Sequence, residues 1–253
     1  MIKVYYVMHS CFLVELEDKY LLFDYFDKSI LEPEIYFRGS LPTLSEAKPL
    51  YVFASHSHKD HFNISVLHLA DGRTNVKFVL SKDIRLGKNY LERNGFDLSI
   101  KDRITFVKPL QKYEIDDIKI ETLRSTDAGV AFVVNTNDLN IFHAGDLNWW
   151  NTEGRGELYG EVYGREFKRA LRPILNRHFD LAFVVLDSRM GEDGYFLGMD
   201  YFIKNIDCDL IFPMHMWADY KWIDRFKHRP DIANLKDRVV DMDRENMIFE
   251  IED

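Results

Sequence analysis

The chain is poor in cysteine: Cys11 and Cys208 are the only two among 253 residues. Neither has a partner close in sequence, so a disulfide framework is excluded and each reads as a buried or idle thiol. Positive charge is also short. With 42 acidic residues against 33 basic ones, the formal net charge is −9. A field of that sign disfavours nonspecific binding to nucleic acid or anionic lipid, while leaving room for a local basic pocket that takes one phosphate. No apolar run approaches the roughly 20 residues a membrane helix needs, and no low-complexity or repeated segment is present. The opening segment, Met1-Ile2-Lys3-Val4-Tyr5-Tyr6-Val7, reads as a strand. It lacks the apolar core and small-residue cleavage site of a signal peptide, so a cytoplasmic location is expected.

What is abundant is apolar and aromatic material, 46% and 14% of the residues, enough to bury a substantial core. The start reads as a meander of strands at 2–8, 11–17 and 20–24, ending in Asp24. An irregular stretch through Pro33, Gly39 and Pro42 follows, then a short buried strand at 50–54. Helices are expected at about 64–69 and from Asp83, as N-cap, to Arg93, around a strand at 76–80. The second half opens with strands near 104–107, 112–115, 118–124, 129–135 and 139–143. It continues with a helix at 161–177 kinked near Pro173, a strand at 181–186, a helix at 199–206 and a strand at 209–213. Helical turns over 219–235 and strands at 238–241 and 246–251 close it. Strands followed by helices, twice over with no linker, predict one α/β domain over 1–253, with two mixed sheets packed face to face and helices outside.

The strongest chemical signal is His56-Ser57-His58-Lys59-Asp60-His61, directly after the buried strand. Side chains two apart on an extended segment point the same way, so His56 and His58 can grip one ion. Asp60 and His61 lie over the following turn and can reach a second. Imidazole and carboxylate without thiolate suit zinc, manganese or iron.

Here the sequence resembles the metallo-β-lactamase superfamily, whose hallmark is H-x-H-x-D-H after a buried strand. Met8-His9-Ser10-Cys11-Phe12-Leu13 with Leu22-Phe23-Asp24 is similar to the opening of its branch of ascorbate-6-phosphate lactonase-like and N-acyl-phosphatidylethanolamine phospholipase D-like proteins. Phe142-His143-Ala144-Gly145-Asp146 resembles that branch's Y/F-H-A-G-D motif, and Phe212-Pro213-Met214-His215 its late strand-end histidine. The resemblance implies a four-layer αββα sandwich holding one or two divalent ions. His56 and His58 would bind the first, Asp60, His61 and His215 the second, and Asp146 would bridge them. It also implies hydrolysis of an ester, lactone or phosphodiester of a small, in this branch phosphorylated or lactone-type, molecule by a metal-activated water.

One departure matters. Superfamily members supply a further histidine to the first metal, yet this chain has none between His68 and His143. Asp127, in Arg124-Ser125-Thr126-Asp127-Ala128-Gly129, is the natural substitute; the competing reading is that it only starts a turn before glycine. Asp60 would orient the nucleophile. His9 and His143 are the candidate catalytic histidines, with sheet packing the alternative for His143. Asp187 suits either support of a ligand histidine or simple capping. His68, His178 and His228 read as surface residues. Trp149, Trp150, Trp217, Tyr25 and Phe26 follow the ligand motifs and are expected either at a pocket rim or in the core. The partner expected is a small-molecule substrate, with no nucleic acid and no membrane; homo-oligomerisation stays open. The rival readings are a binding or sensor domain that has lost a metal, a nuclease, and a di-iron redox protein of the same fold.

Overall fold

A computed structural model describes residues 1–30 and 37–252; Pro33 lies outside them. Thirteen strands and four α-helices are formed among these residues, arranged as two compact units. The first unit is Met1–Lys108 with Glu245–Asp253, the second Pro109–Arg244.

The first unit holds a seven-stranded sheet built from β1 (Ile2–Met8), β2 (Cys11–Glu15), β3 (Tyr20–Phe23), β4 (Leu50–Ala54), β5 (Val76–Ser81), β6 (Ile104–Val107) and β13 (Met247–Ile251). Their order is β13-β1-β2-β3-β4-β5-β6. The β13-β1-β2-β3 portion is antiparallel, while β3 to β6 run parallel. All of Leu50–Ala54 is buried, which is why β4 reads as an unbroken apolar run: a central parallel strand is covered on both faces. The parallel strands therefore deliver their carboxyl ends, Asp24, Ser55-His56 and Asp83, to one edge of the sheet. Because β1 pairs antiparallel with β2, and β2 with β3, the β1–β2 turn carrying His9 lies at that same edge.

The second unit holds a six-stranded sheet, β7 (Lys112–Ile115), β8 (Ile118–Arg124), β9 (Val130–Thr136), β10 (Leu139–His143), β11 (His178–Val185) and β12 (Asp207–Met214). The order is β12-β11-β10-β9-β8-β7. β10, β11 and β12 are parallel, and the β7-β8-β9-β10 meander is antiparallel. Two antiparallel steps bring β8 back into the direction of β10. The four like-directed strands thus end, on one edge, in the segments bearing Asp127, Asp146, Asp187 and His215.

The fold class is the α/β class expected, with two mixed sheets and few helices. Several local expectations are corrected. Asp83 does not cap a helix: α1 spans only Lys88–Arg93, and the Asp83 carboxylate instead accepts the backbone N–H of Ser57 at 2.9 Å. The segment 64–70 is a 3₁₀ helix, consistent with β-branched Ile64 and Val66, which lose side-chain freedom in an α-helix. No strand forms at 238–241. Only Val239 bridges to Ile211, just after a 3₁₀ turn at 236–238. Helix α2 covers Glu157–Leu171 and gives way at Pro173 to a 3₁₀ turn, as proline's missing N–H requires. Of 219–235, α4 takes Lys221–Lys227, and α3 spans Leu197–Asn205.

Candidate metal centre

Each compact unit carries its own set of metal-capable donors on the strand-end edge of its sheet. In the first unit the organiser is Asp24, fully buried, one residue past β3. Its Oδ1 accepts the Ser55 backbone N–H at 2.7 Å, and its Oδ2 accepts both Ser55 Oγ–H at 2.7 Å and His61 Nδ1–H at 2.8 Å. An ionised carboxylate only accepts, so the protons belong to serine and histidine. Since Ser55 Oγ gives its hydrogen to Asp24, it accepts from His56 Nδ1–H at 2.9 Å. One carboxylate therefore sets the tautomer of both His56 and His61, and each is left with Nε2 as the nitrogen for an ion.

His56 and His58 bring donor atoms within 4.8 Å of each other, and so do His9, Asp60 and His61. The turn that swings Asp60 and His61 over is closed by His61 N–H and Phe62 N–H, both donating to His58 carbonyl oxygen. His9 is buried and donates from Nε2 to Asp60 Oδ2 at 3.2 Å, with Phe26 edge-on and Phe37 beside it. His9 and Asp24 both adopt positive φ, 50° and 47°. Non-glycine residues at such angles cost on the order of 1–3 kcal/mol and gather where function demands them.

In the second unit, Asp127 and Asp146 offer carboxylate oxygens within 4.8 Å of each other. In the turn before Gly129, Ser125 Oγ accepts the Asp127 N–H at 3.1 Å. Gly145, at φ 52°, turns the chain off β10 into Asp146. His215, at φ 65°, follows β12. It places Nε2 3.4 Å from Asp146 Oδ1 and gives Nδ1–H to Asp187 Oδ2 at 3.0 Å. Asp187 also caps its own turn by accepting Arg189 N–H at 2.9 Å, so capping and support of His215 coexist. Burial works to raise the Asp187 carboxyl, but hydrogen bonds and charge from His215 and Arg189 outweigh it and hold the group well below the usual carboxylate range.

The other histidines sort cleanly. His143 is buried, its ring tilted on Phe183 and its Nδ1 accepting Gly145 N–H at 3.2 Å; among the described residues it belongs to no metal-capable group. His68 donates to Asp71, and His228 to the Asp224 carbonyl. His178 sits exposed among Asp180, Asp207 and Asp209. The aromatics divide. Trp150 and Trp217 stand edge-on to His215, at 6.0 and 5.6 Å. Trp149 instead packs on α2 and donates to Gly160 carbonyl oxygen at 2.8 Å. Sequence reasoning missed Ser55. A hydroxyl directly before the first ligand histidine and directly after a buried strand was the available signal.

The family model described as the beta-lactamase superfamily domain matches residues 3–161, more than half of the chain. No curated protein matches. Among solved structures, Igni18, a novel metallo hydrolase from the hyperthermophilic archaeon Ignicoccus hospitalis, is similar over 99% of both chains, with 19% identity and a TM-score of 0.56. YhfI, a metallo-beta-lactamase fold protein from Bacillus subtilis, is similar over 98% of both, with 11% identity and a TM-score of 0.59. CmlA, a diiron beta-hydroxylase from Streptomyces venezuelae, is similar over 86% of this chain and 45% of its own, with 14% identity and a TM-score of 0.52. At such identities these likenesses speak for the fold. No helix among the described residues is long and apolar enough to cross a membrane.

Proposed function

The chain belongs to the beta-lactamase superfamily domain family, and from that premise we propose that it is a metal-dependent hydrolase acting on an ester, lactone or phosphodiester of a small molecule. The observation that carries the reading is the histidine chemistry. His61 and His215 each give Nδ1–H to a buried carboxylate, and His56 gives its own to a serine held by one. That is how ligating histidines are oriented; hydrogen-bonding networks of this kind are an expensive way merely to fill space. The donor set fits a divalent ion: imidazole and carboxylate without thiolate, which suits zinc and, as carboxylates are added, manganese or iron.

By the family resemblance, one or two divalent ions would be held by His56, His58 and Asp127 and by Asp60, His61 and His215, with Asp146 common to both sets. Such an ion would lower the pKa of water toward neutrality and draw charge off a developing oxyanion. The chain's own residues do the rest. Asp60 orients the attacking water, and His9, donating to Asp60 Oδ2, fixes the angle of that carboxylate. His9, His143 or a metal-bound water would supply the proton to the leaving group. The acidic balance supports a small-molecule substrate over nucleic acid, and the resembled branch suggests a phosphorylated or lactone-type one.

Elemental analysis of the wild type beside Asp127→Ala, with hydrolysis of generic phosphodiesters and lactones, tests the reading. Expected are one to two equivalents of divalent metal, activity that follows metal content, and loss of metal in the variant. Less than one equivalent with no hydrolysis would favour a binding domain. Oxygen uptake by an iron-loaded sample would favour a redox protein.

A further inference from the structure

We infer that Arg189 is a positioning residue for His215, acting through the Asp187 carboxylate. Asp187 and His215 stand just past neighbouring parallel strands, β11 and β12, whose ends are tied by Leu186 N–H donating to Met214 carbonyl oxygen at 2.9 Å. That tie puts the two side chains abreast and permits the 3.0 Å bond from His215 Nδ1–H to Asp187 Oδ2. A carboxylate holding one imidazole can still rotate about its last torsion. Here it is pinned: Arg189 Nε donates to Oδ1 at 3.0 Å and Nη2 to Oδ2 at 2.5 Å. The fork fixes the carboxylate plane, and with it the direction of the acceptor that His215 meets.

The arrangement closes into a ring. The Arg189 guanidinium lies over Trp217 at 4.3 Å, and Trp217 stands edge-on to His215 at 5.6 Å and 86°. Both His215 and Trp217 hold positive φ, 65° and 54°, conformations that persist only where surroundings over-determine them. Arg189 itself is 55% exposed on its side chain. Asp187, its partner, is 1% exposed, so the pair adds to stability as well; the two-point fork on the carboxylate is what points to orientation as a role beyond folding. Lysine would keep the charge but not the planar fork.

The metal arm of the test rests on the proposed function; the tautomer arm does not. ¹⁵N-histidine spectra of metal-free wild type, Arg189→Ala and Arg189→Lys, with the His215 signals assigned through His215→Gln, report the proton on Nδ1. Chelator competition reports divalent-ion affinity, and Arg225→Ala, a surface arginine over Trp222, serves as control. Expected are a wild-type Nδ1–H tautomer that becomes mixed in both Arg189 variants, and affinity falling by about 10-fold or more. Arg189→Lys, which keeps a positive charge beside buried Asp187, should melt near wild type, and the Arg225→Ala protein should change little. An unchanged His215 tautomer in Arg189→Ala would overturn the inference, as would unchanged ion affinity in a wild type that binds metal. A wild type that binds no metal would instead overturn the proposed function, with the tautomer arm still deciding the role of Arg189.

Discussion

Asp24 accepts the Nδ1–H of His61 at 2.8 Å while also holding Ser55, and through it His56. A single buried carboxylate thus governs two of the histidines of the His56–His61 segment, assigned above to different ions. Asp24→Asn replaces one accepting oxygen with an NH2 donor, which must then face either the Ser55 backbone N–H or the His61 Nδ1–H together with the Ser55 Oγ–H. Divalent-ion affinity should fall by about 10- to 100-fold at both ions, whereas Ser55→Ala should weaken only the ion held by His56. Stoichiometric titration with a chelator separates the two. Equal loss from both variants would show that the serine link carries no selectivity.

Helix α2 places Gly160 and Gly164 four residues apart on one face, and Trp149 lies against that face. A Cβ on Gly164 would sit 2.4 Å from the Trp149 ring, which is also tied to Gly160 carbonyl oxygen. Gly164→Ala must therefore push the indole, and with it the loop that leaves Asp146. A cost of about 1–3 kcal/mol is expected from overpacking, together with weaker metal binding. Gly87→Ala, where nothing lies within 4 Å, is the control. Thermal melts with metal titration check both.

Ion binding to the native state alone stabilises it by about 2.7 kcal/mol when free ion is 100-fold above the dissociation constant. For a chain of this length that is a rise in melting temperature of about 5–10 °C. Calorimetry of chelator-stripped protein, before and after adding back zinc or manganese, measures it. No shift with any divalent ion would count against the site.

His178 has a raised pKa, chiefly from its hydrogen bond to Asp207, opposed by burial and helped by the charges of Asp209, Asp207 and Asp180. A pKa higher in the folded state gives stability that is fully present below the unfolded value, 6.5, and is lost as pH rises through the folded one. The pairs are exposed, so the effect is on the order of 1–3 °C. His178→Gln should melt lower than wild type at about pH 5.5 and level with it at about pH 9. A gap that persists or widens with pH would contradict this.

The central strands were legible because burial leaves a direct mark on sequence: Leu50-Tyr51-Val52-Phe53-Ala54 can scarcely be anything but a covered strand, and β4 is one. Element ends were less legible. The helix expected from Asp83 begins five residues later, because Asp83 makes a bond to Ser57 that local propensity cannot foresee. Val239 likewise meets Ile211 alone, since pairing at a sheet edge depends on the partner's register rather than on β-branched content.

By itself the amino-acid order determined which groups are candidates to bind an ion: His56 and His58 alternate along the chain, and Asp60 and His61 follow over the next turn. It also determined the charge balance and the strand pattern. Which nitrogen each histidine presents was decided only by tertiary structure, because Asp24 lies 37 residues from His61 and Asp187 lies 28 residues from His215. A hydrogen bond over such separations exists only once parallel strands have set their carboxyl ends side by side. Local sequence carries no term for that closure.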